Sequence, residues 1–359
     1  MFIDPWGSSL PEDYERIIKD FGLERFDAKL FPEPNRLMRR GIVFAGRGLK
    51  SISSVLKSGK KYYSLTGIMP SAERIHLGTK MVIENMRYFQ DHGAHCFVLV
   101  ADLEAQATRG VSIAEGRRRA LEFYIPAYLA LGLNPKKTSF YFQSQNTKVI
   151  EVAFDVANRL TSAEFKAAYG SYEPSRILSA CTQFGDMLYP QLKERMPGII
   201  PVGIDQEPHI RLCRDYINKI KLMKYFPVAS LYHKYAPSLD GDLKMSKSKP
   251  DSMIELPEDA KSVSRKIMRA LTGGRDTIEE HRKLGPVMEK DMVFELLKQH
   301  FIEDDKELQE VYDEYSSGKM LSGELKTLAV EKVSSFMTDF NEKLIHAREA
   351  VKNLHFIEE

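Results

Sequence analysis

The 359-residue sequence has one tryptophan, Trp6, only three cysteines, and no apolar run near the roughly 20 residues that a membrane-spanning helix needs. The missing run excludes a helical membrane protein, and residues 1–10 do not read as a signal peptide, so a cytoplasmic location is expected. Cys96, Cys181 and Cys213 are odd in number, far apart and set in apolar or helical contexts. None forms a close pair of the CxxC kind, so buried reduced thiols are expected and a metal site is not. Charge of one sign is also lacking: 52 basic residues stand against 50 acidic ones, a net +2. No overall polycation announces a nucleic-acid binder, and RNA contact would need local clusters on one face. Arg36, Arg39 and Arg40, the run Arg117-Arg118-Arg119, and the helices after Lys249 are the candidates, each equally readable as a solvated helix face. The 43% hydrophobic and 28% charged content is that of an ordinary soluble globular chain of about two domains.

What is present is a pair of motifs for holding phosphate. Lys244-Met245-Ser246-Lys247-Ser248 follows Asp240-Gly241-Asp242. Two lysines interleaved with serines on a glycine-preceded loop offer point charges and directional donors to a polyphosphate. Alone, such a pentamer is commonly a solvated loop. The second motif is Pro70-Ser71-Ala72-Glu73-Arg74-Ile75-His76-Leu77-Gly78-Thr79, between a tyrosine-led strand at 62–67 and a helix with Val82, Met86 and Phe89 on one face. This strand, loop and helix start is where an open parallel sheet binds anions. His76 is expected to open the helix, and Gly78 to leave room for a nucleotide against the backbone.

Apolar runs at 95–102, 139–143 and 198–203 have the length of strands covered on both faces, with helical patterns between them at 113–131 and 148–160. Pro126 should kink or divide the first of these helices. The fold expected is α/β, a doubly wound parallel-sheet (Rossmann-like) catalytic domain over 61–250, with an N-terminal extension over 1–60 and a C-terminal α-helical bundle over 251–359. In the extension, a helix with Tyr14, Ile17, Ile18 and Phe21 should end at Gly22. After Pro250 the pattern reads as almost wholly helical, beginning with a helix through Val263, Ile267 and Leu271 that Gly273 and Gly274 end. Polar residues follow strands where ligands collect: Asp102 and Glu104 after one, Asp205 and Gln206 after another. Gln183 and Asp186, three apart, share a helix face.

A His-x-Gly-His-like motif followed far downstream by Lys-Met-Ser-Lys-Ser resembles the class I aminoacyl-tRNA synthetase signature. Asp4-Pro5-Trp6-Gly7, Arg39-Arg40-Gly41-Ile42-Val43-Phe44, Gly203-Ile204-Asp205-Gln206-Glu207-Pro208-His209 and the segment 272–281 are similar to the archaeal and eukaryotic branch of tryptophanyl-tRNA synthetases. The resemblance runs from about residue 4 to the C-terminus. It implies tryptophan–tRNA ligation, with ATP, Mg2+, L-tryptophan and tRNA(Trp) as partners, usually in a homodimer whose helical bundle recognises the anticodon.

Carried over position by position, the resemblance puts Glu104, Gln183 and Gln206 on the amino acid's ammonium and carboxylate, and Asp205 on the adenosine ribose. His76, Gly78 and Thr79 would lie against adenine and phosphates. Lys244, Met245, Ser246, Lys247 and Ser248 would close over the pyrophosphate, with Lys244, Lys247 and His76 as the catalytic residues and magnesium held by ATP oxygens and water. Two departures stand out. Thr79 replaces the second histidine of the motif, and Leu65 and Leu99 occupy positions where eukaryotic members carry the tyrosine and glutamine that read the indole N–H. Tyr62, Tyr63, Asp102 and Asp186 are the alternatives for that role. Gln183 with Asp186 also resembles the pair used by tyrosyl-tRNA synthetases, which keeps tyrosine open as substrate. A small-molecule nucleotidyltransferase and a catalytically idle synthetase paralogue are the readings from other classes.

Overall fold

The computed structural model describes residues 13–170, 173–220, 225–243, 245 and 249–359. Asp4 to Gly7, with Trp6, and Lys244, Ser246, Lys247 and Ser248 lie outside the described residues. Contacts between Cα atoms group the chain into two units: the chain up to Glu73 with Val82–Lys234 and Ala347–Glu359, and Arg74–Met81 with Tyr235–His346.

The apolar runs of the first unit form its strands. Among the described residues of both units, ten strands follow in chain order: β1 (Glu24–Arg25), β2 (Val43–Arg47), β3 (Tyr63–Ile68), β4 (Ile75–His76), β5 (His95–Val100), β6 (Thr138–Phe142), β7 (Gly198–Gly203), β8 (Ala229–His233), β9 (Glu255–Leu256) and β10 (Phe356–Ile357), with β4 and β9 in the second unit. Eight of them make one sheet in the order β1-β2-β8-β7-β3-β5-β6-β10. The pairs from β8 through β10 are parallel, and β1 and β2 close the other edge antiparallel. The strand order reverses between β3 and β7. The carboxyl ends of strands flanking such a switch point diverge and leave a crevice.

Both faces of this sheet are covered, which is why its strands read as continuous apolar runs. On one face Tyr63, Leu65, Leu99 and Tyr141 share a buried cluster with Val149 and Val156 of helix Thr147–Arg159, Phe184 of helix Pro174–Leu188, and Cys213 of helix Glu207–Lys219. On the other face Ser64 donates to Met86 Sδ at 2.9 Å, and Tyr62 donates its hydroxyl to Phe89 O at 2.9 Å. Each large apolar side chain so buried contributes roughly 1.5–3 kcal/mol. All three cysteines are free and buried, as expected.

Local signals come out as expected in several places. Asp13 caps helix Tyr14–Phe21 by accepting from Arg16 N at 2.9 Å, and Gly22 closes it in the left-handed region at φ 58°. Pro126 divides its helix through a π turn, Ala120–Tyr124, between helices Ile113–Arg119 and Ile125–Ala130.

In the second unit, helix Ala260–Arg269 starts at the Asp259 cap but stops two residues before Leu271, because Ala270 is extended at ψ 148°. The glycine pair serves elsewhere: Gly273 donates to buried Asp291, which also takes the Tyr315 hydroxyl at 2.6 Å and Phe294 N at 2.8 Å. The segment after Pro250 is not wholly helical. β9 pairs with β4, and the chain's last strand, β10, lies parallel to β6. Sequence periodicity could not show this, since two-residue strands have no period to detect.

Candidate active site

The carboxyl end of β5 turns directly into helix Asp102–Arg109, which places Asp102 and Glu104 in its first turn, where free backbone N–H groups favour acidic side chains. Glu104 is 6% exposed, and the Gln183 amide donates to both of its carboxylate oxygens, at 2.8 and 3.0 Å. Three residues along the same helix face, Asp186 is buried and accepts from the Tyr141 hydroxyl at 3.0 Å and the Gln143 amide at 2.7 Å. Gln143 in turn accepts from Glu104 N at 3.4 Å, so one side chain bridges both acids. Burial pushes the Asp186 carboxyl well above the usual carboxylate range, against the pull of its two donors, and the charges of Glu104 and Asp102 push the same way.

Asp102, in contrast, is saturated. Its oxygens accept from Leu103 N and Ser144 N, both at 3.0 Å, from the Ser144 hydroxyl and from Arg117 at 3.4 Å. It pins the turn after β6 to the helix after β5. The hydroxyls of Tyr62 and Tyr63 are likewise committed: Tyr62 donates to the carbonyls of Phe89 and His92, and Tyr63 donates to Met187 O and accepts from Gln191. Tyr63 is fully buried on the cluster face of the sheet.

Asp205 and Gln206 leave β7 in a short 3-10 turn, Ile204–Gln206, that leads into helix Glu207–Lys219. Glu207, fully buried, anchors that turn through an ion pair with Arg47 of β2 at 2.6 Å. One turn on, His209 is buried against the Tyr169 hydroxyl at 2.9 Å, and burial pushes its imidazole down to about 3, so it stays neutral. Glu104, Gln183, Asp186, Asp205 and Gln206 therefore all belong to the first unit, on strand ends or on the helices that follow them.

Arg74 to Thr79 of the histidine motif and Met245 of the lysine-serine motif belong to the second unit, whereas Ser71 to Glu73 belong to the first. His76 does not open the helix; it pairs in β4 with Glu255 of β9, and helix Leu77–Asp91 starts one residue later. Gly78 N donates to His76 Nδ1 at 3.1 Å, which makes Nδ1 the acceptor of the ring. A Cβ on Gly78 would lie 2.8 Å from His76 Cε1, so a glycine here lets the histidine ring lie against the turn. Thr79 is half-buried one residue on. Met245 is 3% exposed and donates its N–H to Ala236 O at 3.0 Å, so the second residue of the lysine-serine motif is anchored. The preceding turn is tied by Lys249, which pairs with Asp240 at 3.2 Å and with Asp242.

The arginine clusters are largely neutralised within the chain. Arg36 is buried on Glu84, Arg118 meets Glu73, Glu115 and Glu122, and Arg119 meets Glu115. Sequence reasoning missed Tyr141, Gln143 and Ser144. For Gln143 and Ser144 the only signal was polar residues directly after an apolar strand, the same signal that singles out Asp102; Tyr141 lies within that strand and carried none.

The family described as tRNA synthetases class I (W and Y) matches residues 57–338. The chain belongs to this family. Its members are aminoacyl-tRNA ligases that use ATP, and this synthetase is similar over almost its whole length to particular relatives. It is 39% identical to the tryptophan–tRNA ligase of Methanocaldococcus jannaschii, over 99% of this chain and 98% of that protein. It is also 39% identical to the tryptophan–tRNA ligase of Aeropyrum pernix, over 96% and 95%. The crystal structure of the Aeropyrum pernix tryptophanyl-tRNA synthetase matches this fold with a TM-score of 0.90 at 38% identity, covering 98% of both chains. The tryptophanyl-tRNA synthetase of Giardia lamblia matches at 0.86 and 26%, covering 96% of both.

Proposed function

We propose that this synthetase is a tryptophan–tRNA ligase: it activates L-tryptophan with ATP and passes the tryptophanyl group to the 3′ end of tRNA(Trp). One observation carries the reading. The Glu104–Gln183–Asp186 cluster stands at the carboxyl ends of parallel strands, in a chain that matches tryptophan–tRNA ligases from end to end. Glu104 pairs with the α-ammonium, and the Gln183 and Gln206 amides complete the ammonium and carboxylate contacts. Of the four residues weighed for the indole N–H, Asp186 is favoured. The tyrosine hydroxyls and Asp102 are committed to other partners, whereas Asp186, a buried carboxyl three residues from Gln183, is given two donors by its neighbours and keeps acceptor capacity for a third. A buried acceptor of this kind discriminates steeply against ligands without a matching donor, as in the synthetases that the general rule was drawn from.

The chemistry requires no side-chain nucleophile. The tryptophan carboxylate attacks the α-phosphorus of ATP, the bond to the bridging oxygen breaks, and pyrophosphate leaves with that electron pair. The terminal ribose hydroxyl of tRNA then takes the acyl group and releases AMP. The protein positions the reactants and stabilises charge on phosphate oxygens. Asp205 takes the ribose hydroxyls, His76, Gly78 and Thr79 lie along adenine and phosphates, and Lys244, Ser246, Lys247 and Ser248 close over the pyrophosphate. With Thr79 in place of a histidine, the phosphate donor there is a hydroxyl. Magnesium, when bound, would be held mainly by ATP oxygens and water.

The helical segment 251–359 is assigned to the tRNA anticodon, 61–250 to catalysis with 1–60 as its extension, and the enzyme is read as a cytoplasmic homodimer. Support for the dimer is exposed apolar surface on two helices that pack together: Phe154 is 72% and Leu178 60% exposed. The test is Lys247→Ala in single-turnover adenylate formation: the rate should fall by about two orders of magnitude while tryptophan affinity holds. An unchanged rate refutes the role of the loop.

A further inference from the structure

Lys80 stands in the first turn of helix Leu77–Asp91, directly after His76-Leu77-Gly78-Thr79, and is only 2% exposed. A lysine at this depth is rare, because a buried ammonium forfeits its hydration unless polar partners replace it. Partners come from the helical part of the same unit. Nζ donates to His300 O at 3.1 Å, and it lies 5.3 Å from the centre of the Phe336 ring and 5.9 Å from that of Phe301. The two rings meet edge to face at 5.4 Å and so form two sides of the ammonium's enclosure. His300 belongs to the closing turn Leu297–Phe301, which continues helix Met292–Leu296. Carbonyls in a last turn lack helical donors and carry the negative end of the helix dipole, so a cation there satisfies and stabilises the end of that helix.

Two further ties hold the residues just ahead of Lys80. β4 is paired with β9, Ile75 opposite Leu256 and His76 opposite Glu255, and Arg74 bridges to Glu255 at 3.3 Å. The strand and helix start that carry His76, Gly78 and Thr79 are thus built into the unit that contains Met245, although the rest of their helix belongs to the other unit.

We propose that Lys80 is a positioning residue for ATP: by capping the last turn of the 292–301 helix it holds His76, Gly78 and Thr79 on one body with the segment that leads into the lysine-serine loop. The inference rests on the ATP-dependent activation proposed above. It separates the two substrates. Loosening Lys80 disturbs the nucleotide side, whereas Glu104, Gln183 and Asp186 are held by contacts within the other unit.

The test compares Lys80→Met, which keeps the stem and removes the cation, with Lys80→Arg, which keeps a cation within reach of the carbonyl and rings. Tryptophan-dependent pyrophosphate exchange is measured per active site, titrated by the adenylate burst, and tryptophan affinity is measured by calorimetry. For Lys80→Met, kcat/KM for ATP is expected to fall by about tenfold or more, as small misplacements of reacting groups do, with the tryptophan Kd within about twofold. Lys80→Arg is expected to recover most of the loss. An unchanged per-site rate with only a lower Tm shows a purely structural role and overturns the proposal, as does an equal loss of tryptophan affinity. If Lys80→Met does not fold, Phe336→Leu removes one ring facing the ammonium and is read by the same two numbers, with the same outcomes deciding. Wild-type enzyme that exchanges no pyrophosphate with tryptophan fails the underlying reading, whereas active wild type with a fully active variant fails only this one.

Discussion

Asp186 and His209 are both buried, and burial drives them in opposite directions with consequences of opposite sign. The folded-state value of Asp186 is raised, so the folded protein keeps a proton that the unfolded chain releases, and stability is lost as pH climbs above the unfolded carboxylate value of about 4. Asp186→Asn should therefore raise the Tm, by more at pH 8 than at pH 5, while weakening tryptophan binding. A pH-independent difference would contradict the buried-acid assignment. His209, pushed down to about 3, works the other way. Its contribution is complete above about 6.5 and is lost as the pH falls toward 3, at up to about 1.4 kcal/mol per pH unit, because only the unfolded chain can take the proton. His209→Gln should flatten the acid limb of the stability profile, as read by denaturant unfolding between pH 6.5 and 4. At this scale the sequence showed which residue types follow the strands but not whether their hydrogen bonds were already spent. Glu104 and Asp102 look alike in the sequence. Four donors from the residues around it make Asp102 a tie between two strand ends, whereas Glu104 takes the Gln183 amide on both of its oxygens.

Helix Pro174–Leu188 carries Gln183 and Asp186, and its distance from helix Thr147–Arg159 is set by a glycine between them in the chain. A Cβ on Gly185 would lie 2.3 Å from Val149 O, a backbone atom that cannot swing aside. Gly185→Ala should cost about 1–3 kcal/mol by overpacking and should weaken tryptophan binding as the helix shifts. Denaturant unfolding and calorimetry read the two effects, and no change in either would show that the close approach is unimportant. The long parallel strands and the capped helices were legible because their apolar runs and cap residues are local signals. β4, β9 and β10 were not, because each has two residues and exists only through a partner far away in sequence. The same distance hid Gln143, whose two acidic neighbours lie 39 and 43 residues from it along the chain.

For the molecule as a whole, alternation of apolar strands and helices announced a doubly wound α/β fold, and the switch between β3 and β7 places Asp205 and Gln206 where such folds bind ligands. The dimer reading makes its own prediction: Phe154→Glu should turn a dimer into a monomer at micromolar concentration in sedimentation analysis. A wild-type protein that is monomeric under the same conditions would remove the assignment. The central claim is substrate identity, since Gln183 with Asp186 suits tyrosine as well as tryptophan when read from sequence alone. The decisive measurement is amino-acid-dependent exchange of pyrophosphate into ATP, run side by side with tryptophan, tyrosine and no amino acid. Exchange with tryptophan alone is the predicted result. Exchange with tyrosine alone, or with neither, would contradict it.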